Sequence, residues 1–412
     1  MGMVGSIMAK DEVNDKKISF AIVFSYCLLI TNYTFKQVFN ILNPSTRALV
    51  SAGFMAVGGV VFILNFVKVF KRINKLFLLT YWISSFIIIF NFLIFSKNSE
   101  YILNISFYLF LICLPTFLYY ISIKDKSIFL RMFVNSGYYQ IVLAIIFFVS
   151  VDLNMIKYDM VYSYLVLVPA IIFTYKIFND FKVFYILLIG FCLFAITVVG
   201  SRGPLLAFAS YCVIISINGL IGRKNKLKRQ NIWFLLSILA IALIMVLFYK
   251  EVLFGINYGF SIVGINSRTI TILINNDIDF SSGRTIIYEF IIEKIFQQPF
   301  WGYGIAGDRV LLDGTYPHNI FLEIFVQFGL LIGGGIVVVL IYHWILAIFK
   351  NTNKVEKDLI FMFFSLGLVQ LFFTGSYLTT RDFWLFMAIC LNTLYYKKKT
   401  VRDESNLFVI GS

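Results

Sequence analysis

Apolar residues run in blocks of roughly twenty along this chain, separated by short polar interruptions. Crossing a hydrocarbon layer of ~30 Å takes about 20 mostly apolar residues in a helix. Twelve stretches reach that length: 18–36, 48–67, 76–95, 101–121, 130–151, 159–177, 183–199, 204–221, 231–249, 323–346, 358–374 and 382–396. A membrane β-barrel would instead show ~10-residue strands of alternating polarity. The pattern predicts an all-α polytopic membrane protein with about twelve transmembrane helices. The first run follows Lys10, Lys16 and Lys17 and leads into Asn32, Tyr33 and Lys36 without a small-residue cleavage site, so it is expected to be retained.

Composition agrees. The 412 residues are 60% hydrophobic and 14% charged, where a soluble domain carries about 25% charged residues. Soluble, fibrous and disordered classes are excluded. The formal net charge of +14 then asks which side of the bilayer holds it. With the N-terminus inside, 24 of the 35 Lys and Arg fall in inside segments, with nine acidic residues; the outside holds eleven basic and twelve acidic residues. The excess is all on one side, which predicts cytoplasmic termini and contact with anionic lipid. The Lys-rich stretch 223–229 reads as an orientation signal, and no nucleic acid is implied. Cys27, Cys113, Cys192, Cys212 and Cys390 all lie in apolar runs without CxxC spacing, so neither a disulfide framework nor a metal site is expected.

One connection is out of proportion. Residues 250–322 form a long outside loop that divides the chain into helices one to nine (1–249), the loop, and helices ten to twelve with a cytoplasmic tail (323–412). Loops beyond ~15 residues are usually functional or disordered, and this one is rich in Ile, Phe, Tyr and Trp. Residues 284–298 have the pattern of an interfacial helix: Glu289 and Glu293 share one face, while Ile287, Ile291 and Ile295 share another. Ser281 or Ser282 suits its N-cap, and Pro299 its end. Further on, Gly329, Gly333, Gly334 and Gly335 would let another helix approach closely.

Outside charges are few, so each can be weighed. Arg202 lies in Gly200-Ser201-Arg202-Gly203-Pro204, where Pro204 suits the first turn of a helix. Free N–H groups at that helix start and the guanidinium fork together make an anion site; the alternative is an arginine snorkelling to the interface. Arg284 opens the interfacial helix after Ser281-Ser282-Gly283, and Pro299-Phe300-Trp301-Gly302-Tyr303-Gly304 follows it. His318 precedes Asn319 at the outer end of the tenth helix, where an imidazole can take a proton near neutral pH. Glu323 is its candidate partner. His343, at the other end of that helix, reads as structural. Asp277 and Asp279 have D-x-D spacing, but outside the cell they read as solvated loop charges.

These motifs stand in a definite order: Ser-Arg-Gly in a short outer loop, Ser-Gly-Arg with Pro…Gly-x-Gly in a long one, then His-Asn-x-x-Leu entering a helix. That order resembles the O-antigen polymerase and O-antigen ligase superfamily of bacterial membrane glycosyltransferases. The motifs cover about 195–340. Family members often carry Trp four residues after the loop arginine, where this chain has Tyr288.

The resemblance implies a glycan donor on undecaprenyl pyrophosphate in the bacterial inner membrane, with the active site on the periplasmic face. Arg202 and Arg284 would bind the pyrophosphate without metal or other cofactor. His318 would orient or deprotonate the acceptor hydroxyl, supported by Ser201, Gly203, Asn319 and Glu323, and transfer would invert the anomeric carbon. The implied acceptor is a second lipid-linked repeat unit, with a chain-length regulator as partner, for a polymerase, or the lipid A core for a ligase. A secondary transporter or lipid-linked oligosaccharide flippase is the alternative of another class. It should show charges inside the membrane and no large outer loop.

Overall fold

The structure is a computed structural model. It describes residues 2–38, 44–150, 159–199, 201–221, 249–262, 274, 284–351 and 353–394, and no strand occurs among them. The helices are α1 (Gly2–Val38), α2 (Pro44–Arg72), α3 (Lys75–Ile94), α4 (Ser99–Tyr108), α5 (Leu114–Ser122), α6 (Lys126–Ser150), α7 (Met160–Asn179), α8 (Val183–Val199), α9 (Arg202–Ile221), α10 (Tyr249–Ile262), α11 (Arg284–Gln297), α12 (Gly307–Leu311), α13 (Ile320–Lys350) and α14 (Lys354–Phe363), followed by α15 over 381–394.

Among the described residues, seven helical spans are long and apolar enough to cross a membrane: Ala9–Gln37, Ser45–Arg72, Lys75–Ile94, Ser96–Ser122, Lys126–Ser150, Met160–Asn179 and Ile320–Phe349. This is fewer than the twelve expected. Helix α8 is apolar but shorter, and most of the stretch at 231–249 lies outside the described residues. The eleventh stretch is broken: α14 gives way to a π-turn (Phe364–Leu368) and a 3-10 turn (Val369–Phe372). There Gly367 approaches α15 so closely that a Cβ would fall 2.4 Å from the Asp382 carbonyl oxygen. Another π-turn (Leu109–Cys113) joins α4 to α5 just before Pro115. Proline has no N–H to give the preceding turn, and a π-turn is a common way to absorb such a defect.

The chain divides into two compact units. One comprises Val23–Leu64 and Arg131–Phe280. In it Gly137 of α6 sits against Ile172 of α7, where a Cβ would meet Ile172 Cγ2 at 2.8 Å. Asp159 caps α7 by accepting from the N–H groups of Val161 (2.8 Å) and Tyr162 (3.1 Å), and its other oxygen accepts from the Tyr33 hydroxyl.

The other unit comprises Met1–Ile22, Asn65–Leu130 and Ser281–Ser412. At one end Asp15, 2% exposed, accepts from the backbone N–H of Lys124 (3.0 Å) and Asp125 (3.1 Å) and pairs with Arg72 at 2.9 Å. A core of Ile88, Ile102, Ile105, Leu109, Ile305 and Leu378 ties α3 and α4 to the long connection before α13.

That connection is sewn into α13. Gly329 has φ 73° and ψ 176°, so α13 is two helical pieces meeting at a break. The carbonyls of Val326 and Gln327 accept instead from the N–H groups of Tyr303 (2.8 Å) and Gly304 (2.9 Å), while Leu330 N–H donates to the Pro299 carbonyl at 2.6 Å. Gly302 (φ +64°) and Gly329 meet so closely that a Cβ on Gly302 would lie 2.5 Å from Gly329 N. Two asparagines hold the far side of the turn. Asn91 Oδ1 accepts from Ile305 N–H at 2.7 Å. Asn98 Nδ2 donates to the carbonyls of Tyr303 (2.8 Å) and Ile305 (3.0 Å).

This corrects the expected role of the glycine cluster. Gly329 is a break and not a helix-packing position, Gly333 lies against Ile324 and Phe325 of its own helix's first piece, and Gly334 and Gly335 have nothing within 4 Å of an added Cβ. Gly302→Ala should therefore destabilise by about 2–5 kcal/mol, from the left-handed conformation and the backbone contact together. Gly335→Ala should be neutral or stabilise by up to ~1 kcal/mol. Denaturant midpoints of the detergent-purified variants check both.

Candidate active site

Helix α11 begins at Arg284 and ends at Gln297, where Pro299 was expected to stop it. Its isoleucine face packs on protein and not on the bilayer. Ile291 and Ile295 are buried against Val326, with Ile287, Leu322 and Phe325 around them. Glu289 and Glu293 lie on the exposed side, and Tyr288 is half-buried. The expected cap at Ser281 or Ser282 and the Asp277–Asp279 pair lie outside the described residues.

Helix α12 and the first piece of α13 enclose a buried polar network. Arg309 Nη1 donates to Asp308 at 2.7 Å, and both Nη atoms reach Glu323 Oε1 at 3.2 Å. Gln327, one turn beyond Glu323, donates from Nε2 to Asp308 Oδ1 at 2.8 Å and accepts from the Tyr377 hydroxyl at 2.6 Å. The Ser376 hydroxyl donates to Glu323. Asp308 and Gln327 are fully enclosed, Glu323 is 1% exposed and Arg309 6%. Such a network is tolerable in a dry site only because its members satisfy one another. Glu323 is thus the partner of Arg309 and Ser376, not the partner of His318 that its position had suggested. Asn319 is likewise committed, as the N-cap of α13, accepting from the N–H groups of Phe321 (3.0 Å) and Leu322 (3.3 Å).

His318 sits just before that cap with φ 54°. A non-glycine residue in this conformation is uncommon, and such strain clusters at functional sites. Its ring lies on Tyr316, with ring centres 4.4 Å apart, and Nδ1 is buried without a hydrogen-bond partner among the described residues. The Tyr316 ring also carries the Arg309 guanidinium at 5.3 Å, and its hydroxyl accepts from Gly375 N–H at 3.0 Å. Two residues earlier on the same loop, the Phe373 carbonyl accepts from Arg284 Nη2 at 2.8 Å. Tyr316 and the 373–376 loop therefore bring Arg284 and His318 into one neighbourhood. Burial, and then the Arg284 charge, hold the His318 imidazole down to about 4. The ring is neutral at pH 7, with a free acceptor or donor nitrogen beside a cation.

Arg202 belongs to the other unit. It opens α9, half-buried, after Ser201, which is 2% exposed; Gly203 is half-buried and Pro204 buried. The expected proline in the first turn is present.

A comparison with known families bears on this arrangement. Residues 184–333 match the family model described as O-antigen ligase. The matched segment contains Arg202, Arg284, His318 and the α13 break at Gly329, and its likeness is to the family that the motif order resembles. No curated protein and no solved structure matches the chain. Within the matched segment, Asp308, Arg309 and Gln327 escaped the sequence reading. A usable signal was there: Glu323 and Gln327, polar at i and i+4 in an apolar helix, call for a polar partner.

Arg309→Ala should cost ~3–5 kcal/mol, since it leaves two buried carboxylates unpaired. Adding Asp308→Asn and Glu323→Gln should recover part of the loss, read from denaturant midpoints. His318 gives a second expectation. Its folded pKa lies below the usual 6.5, so the folded state refuses a proton that the unfolded chain accepts. The His318 contribution to stability should be flat above pH ~6.5 and fall as pH drops from there toward 4, read as the difference between the protein and its His318→Gln variant. Arg284→Gln should raise the His318 midpoint, measured by NMR against His343, the only other histidine. An unchanged midpoint would show that Arg284 does not act on it.

Proposed function

We propose that this chain is a bacterial inner-membrane O-antigen polymerase. It joins repeat units carried on undecaprenyl pyrophosphate at the periplasmic face. Both chain termini are cytoplasmic in this reading, on the side that holds the basic loops. The observation that carries the glycosyl-transfer reading is the His318 ring, its Nδ1 unpartnered among the described residues, near Arg284 within the segment that matches the O-antigen ligase model.

The chemistry follows from the charges. Arg284 gives one guanidinium N–H to the Phe373 carbonyl and keeps others for pyrophosphate oxygens. Arg202 adds a second fork at a helix N-terminus, where free backbone N–H groups also favour an anion. The acceptor hydroxyl oxygen attacks the anomeric carbon. The bond from that carbon to the phosphate oxygen breaks, and undecaprenyl pyrophosphate leaves with the electron pair, its charge stabilised by the two arginines. The acceptor proton passes to His318, and one displacement inverts the anomeric configuration. Burial and, after it, the Arg284 charge hold the imidazole at about 4. A pyrophosphate beside Arg284 offsets the smaller of these two causes and moves the pKa up.

The ligase reading, with the lipid A core as acceptor, shares the same family match. Two experiments separate the possibilities. Arg202→Ala, Arg284→Ala and His318→Ala should each abolish long-chain surface glycan while the protein remains in the membrane; normal polymer from all three rejects the mechanism. Deletion followed by a gel of surface glycolipid should give a single-repeat product for a polymerase and bare core for a ligase or flippase.

A further inference from the structure

The two pieces of α13 differ in what surrounds them. None of residues 320–329 is exposed, and Glu323 and Gln327 lie there in the polar network. From Leu330 onward exposed apolar side chains recur, with Leu331 at 70%, Val338 at 67% and Phe349 at 79%. Length agrees with a division at the break: residues 330–350 run about 31 Å at ~1.5 Å per residue, enough for a ~30 Å hydrocarbon layer. The first piece is therefore not needed to cross it.

The turn that closes the break is apolar on its free side. Phe300 and Trp301 are 64% and 75% exposed, although both flank backbone hydrogen-bonded to α13. One helical turn before Phe300, Phe296 of α11 is 68% exposed. An added Cβ on Gly329 would touch the Phe300 carbonyl at 2.7 Å, so this aromatic edge lies level with the break. It continues the apolar wall that begins at Leu330.

We propose that the bilayer surface on this side crosses the chain at Gly329, and that Phe296, Phe300 and Trp301 form an anchor lying in the lipid head-group layer. Trp collects at that depth because its ring is apolar and its N–H polar, while Phe296 and Phe300 add apolar area beside it. The occupant of this surface is lipid. The continuity of Phe300 and Trp301 with the Leu330–Ile332 wall argues for it. The anchor places Arg309, Glu323 and His318 above the hydrocarbon, at the height where a lipid-borne pyrophosphate would stand. It goes beyond the proposed reaction and does not depend on it.

Trp301 is its own reporter. The whole protein is reconstituted into phosphatidylcholine vesicles carrying bromine at the upper or lower part of the acyl chain. The fluorescence of the Trp301→Phe variant is subtracted to isolate Trp301 from the other four tryptophans. The anchor requires stronger quenching of the Trp301 component by upper-chain than by lower-chain bromine. Strongest quenching by lower-chain bromine would place the turn inside the bilayer, as a span starting at Ile320 demands, and overturn the proposal. Quenching by aqueous iodide with none by bromolipid would place it in water and overturn it equally. Phe300→Trp in the Trp301→Phe background repeats the measurement one residue earlier, so a fault in one variant does not decide the outcome. None of these readings uses glycan synthesis, so they stand or fall apart from the proposed chemistry.

Discussion

The backbone at Gly329 governs how this site is built. A helix that stops inside an apolar region strands carbonyl groups, and stranded polar backbone is costly wherever water is scarce. Here the orphaned carbonyls of Val326 and Gln327 take the N–H groups of Tyr303 and Gly304, and Leu330 gives its own N–H to Pro299. The loop is fixed by the same bonds that complete the helix. That exchange fixes Tyr303 and Gly304 just ahead of α12, which carries Asp308 and Arg309.

The charges obey the same rule. Asp308, Arg309 and Glu323 would be expensive to bury singly, and together they are tolerated because hydroxyl and amide groups fill the remaining positions. The network touches the proposed chemistry through two links. Tyr316 carries the Arg309 guanidinium and the His318 ring. Ser376 joins Glu323 to the loop whose Phe373 carbonyl holds Arg284. A mutually hydrogen-bonded core thus stands behind two side chains that keep hydrogen-bonding groups free.

Parts of this were legible in the sequence because they depend on local chemistry. Run length exposed the helices, Pro299 marked the end of α11, and the His-Asn pair marked the start of α13 through the capping habit of asparagine. The order of Arg202, Arg284 and His318 pointed to the family that residues 184–333 match. What stayed hidden depends on distant contacts. A glycine in an apolar run reads as a packing site, so the break at Gly329 was invisible without Gly302 beside it. Arg309 in a polar loop reads as solvated until Glu323 and Asp308 enclose it. The π-turn at 364–368 answers to Asp382 on the next helix, and no local pattern announces it.

Asn91 and Asn98 meet their partners across more than two hundred residues of chain. At ribosomal speeds of ~5–20 residues per second, those partners emerge roughly 10–40 s later. Asn91 also donates to the Ile87 carbonyl of its own helix, a bond that needs none of the later chain. The receiving half of the seam is therefore made long before its partners, and the site is completed only when the last third of the chain arrives.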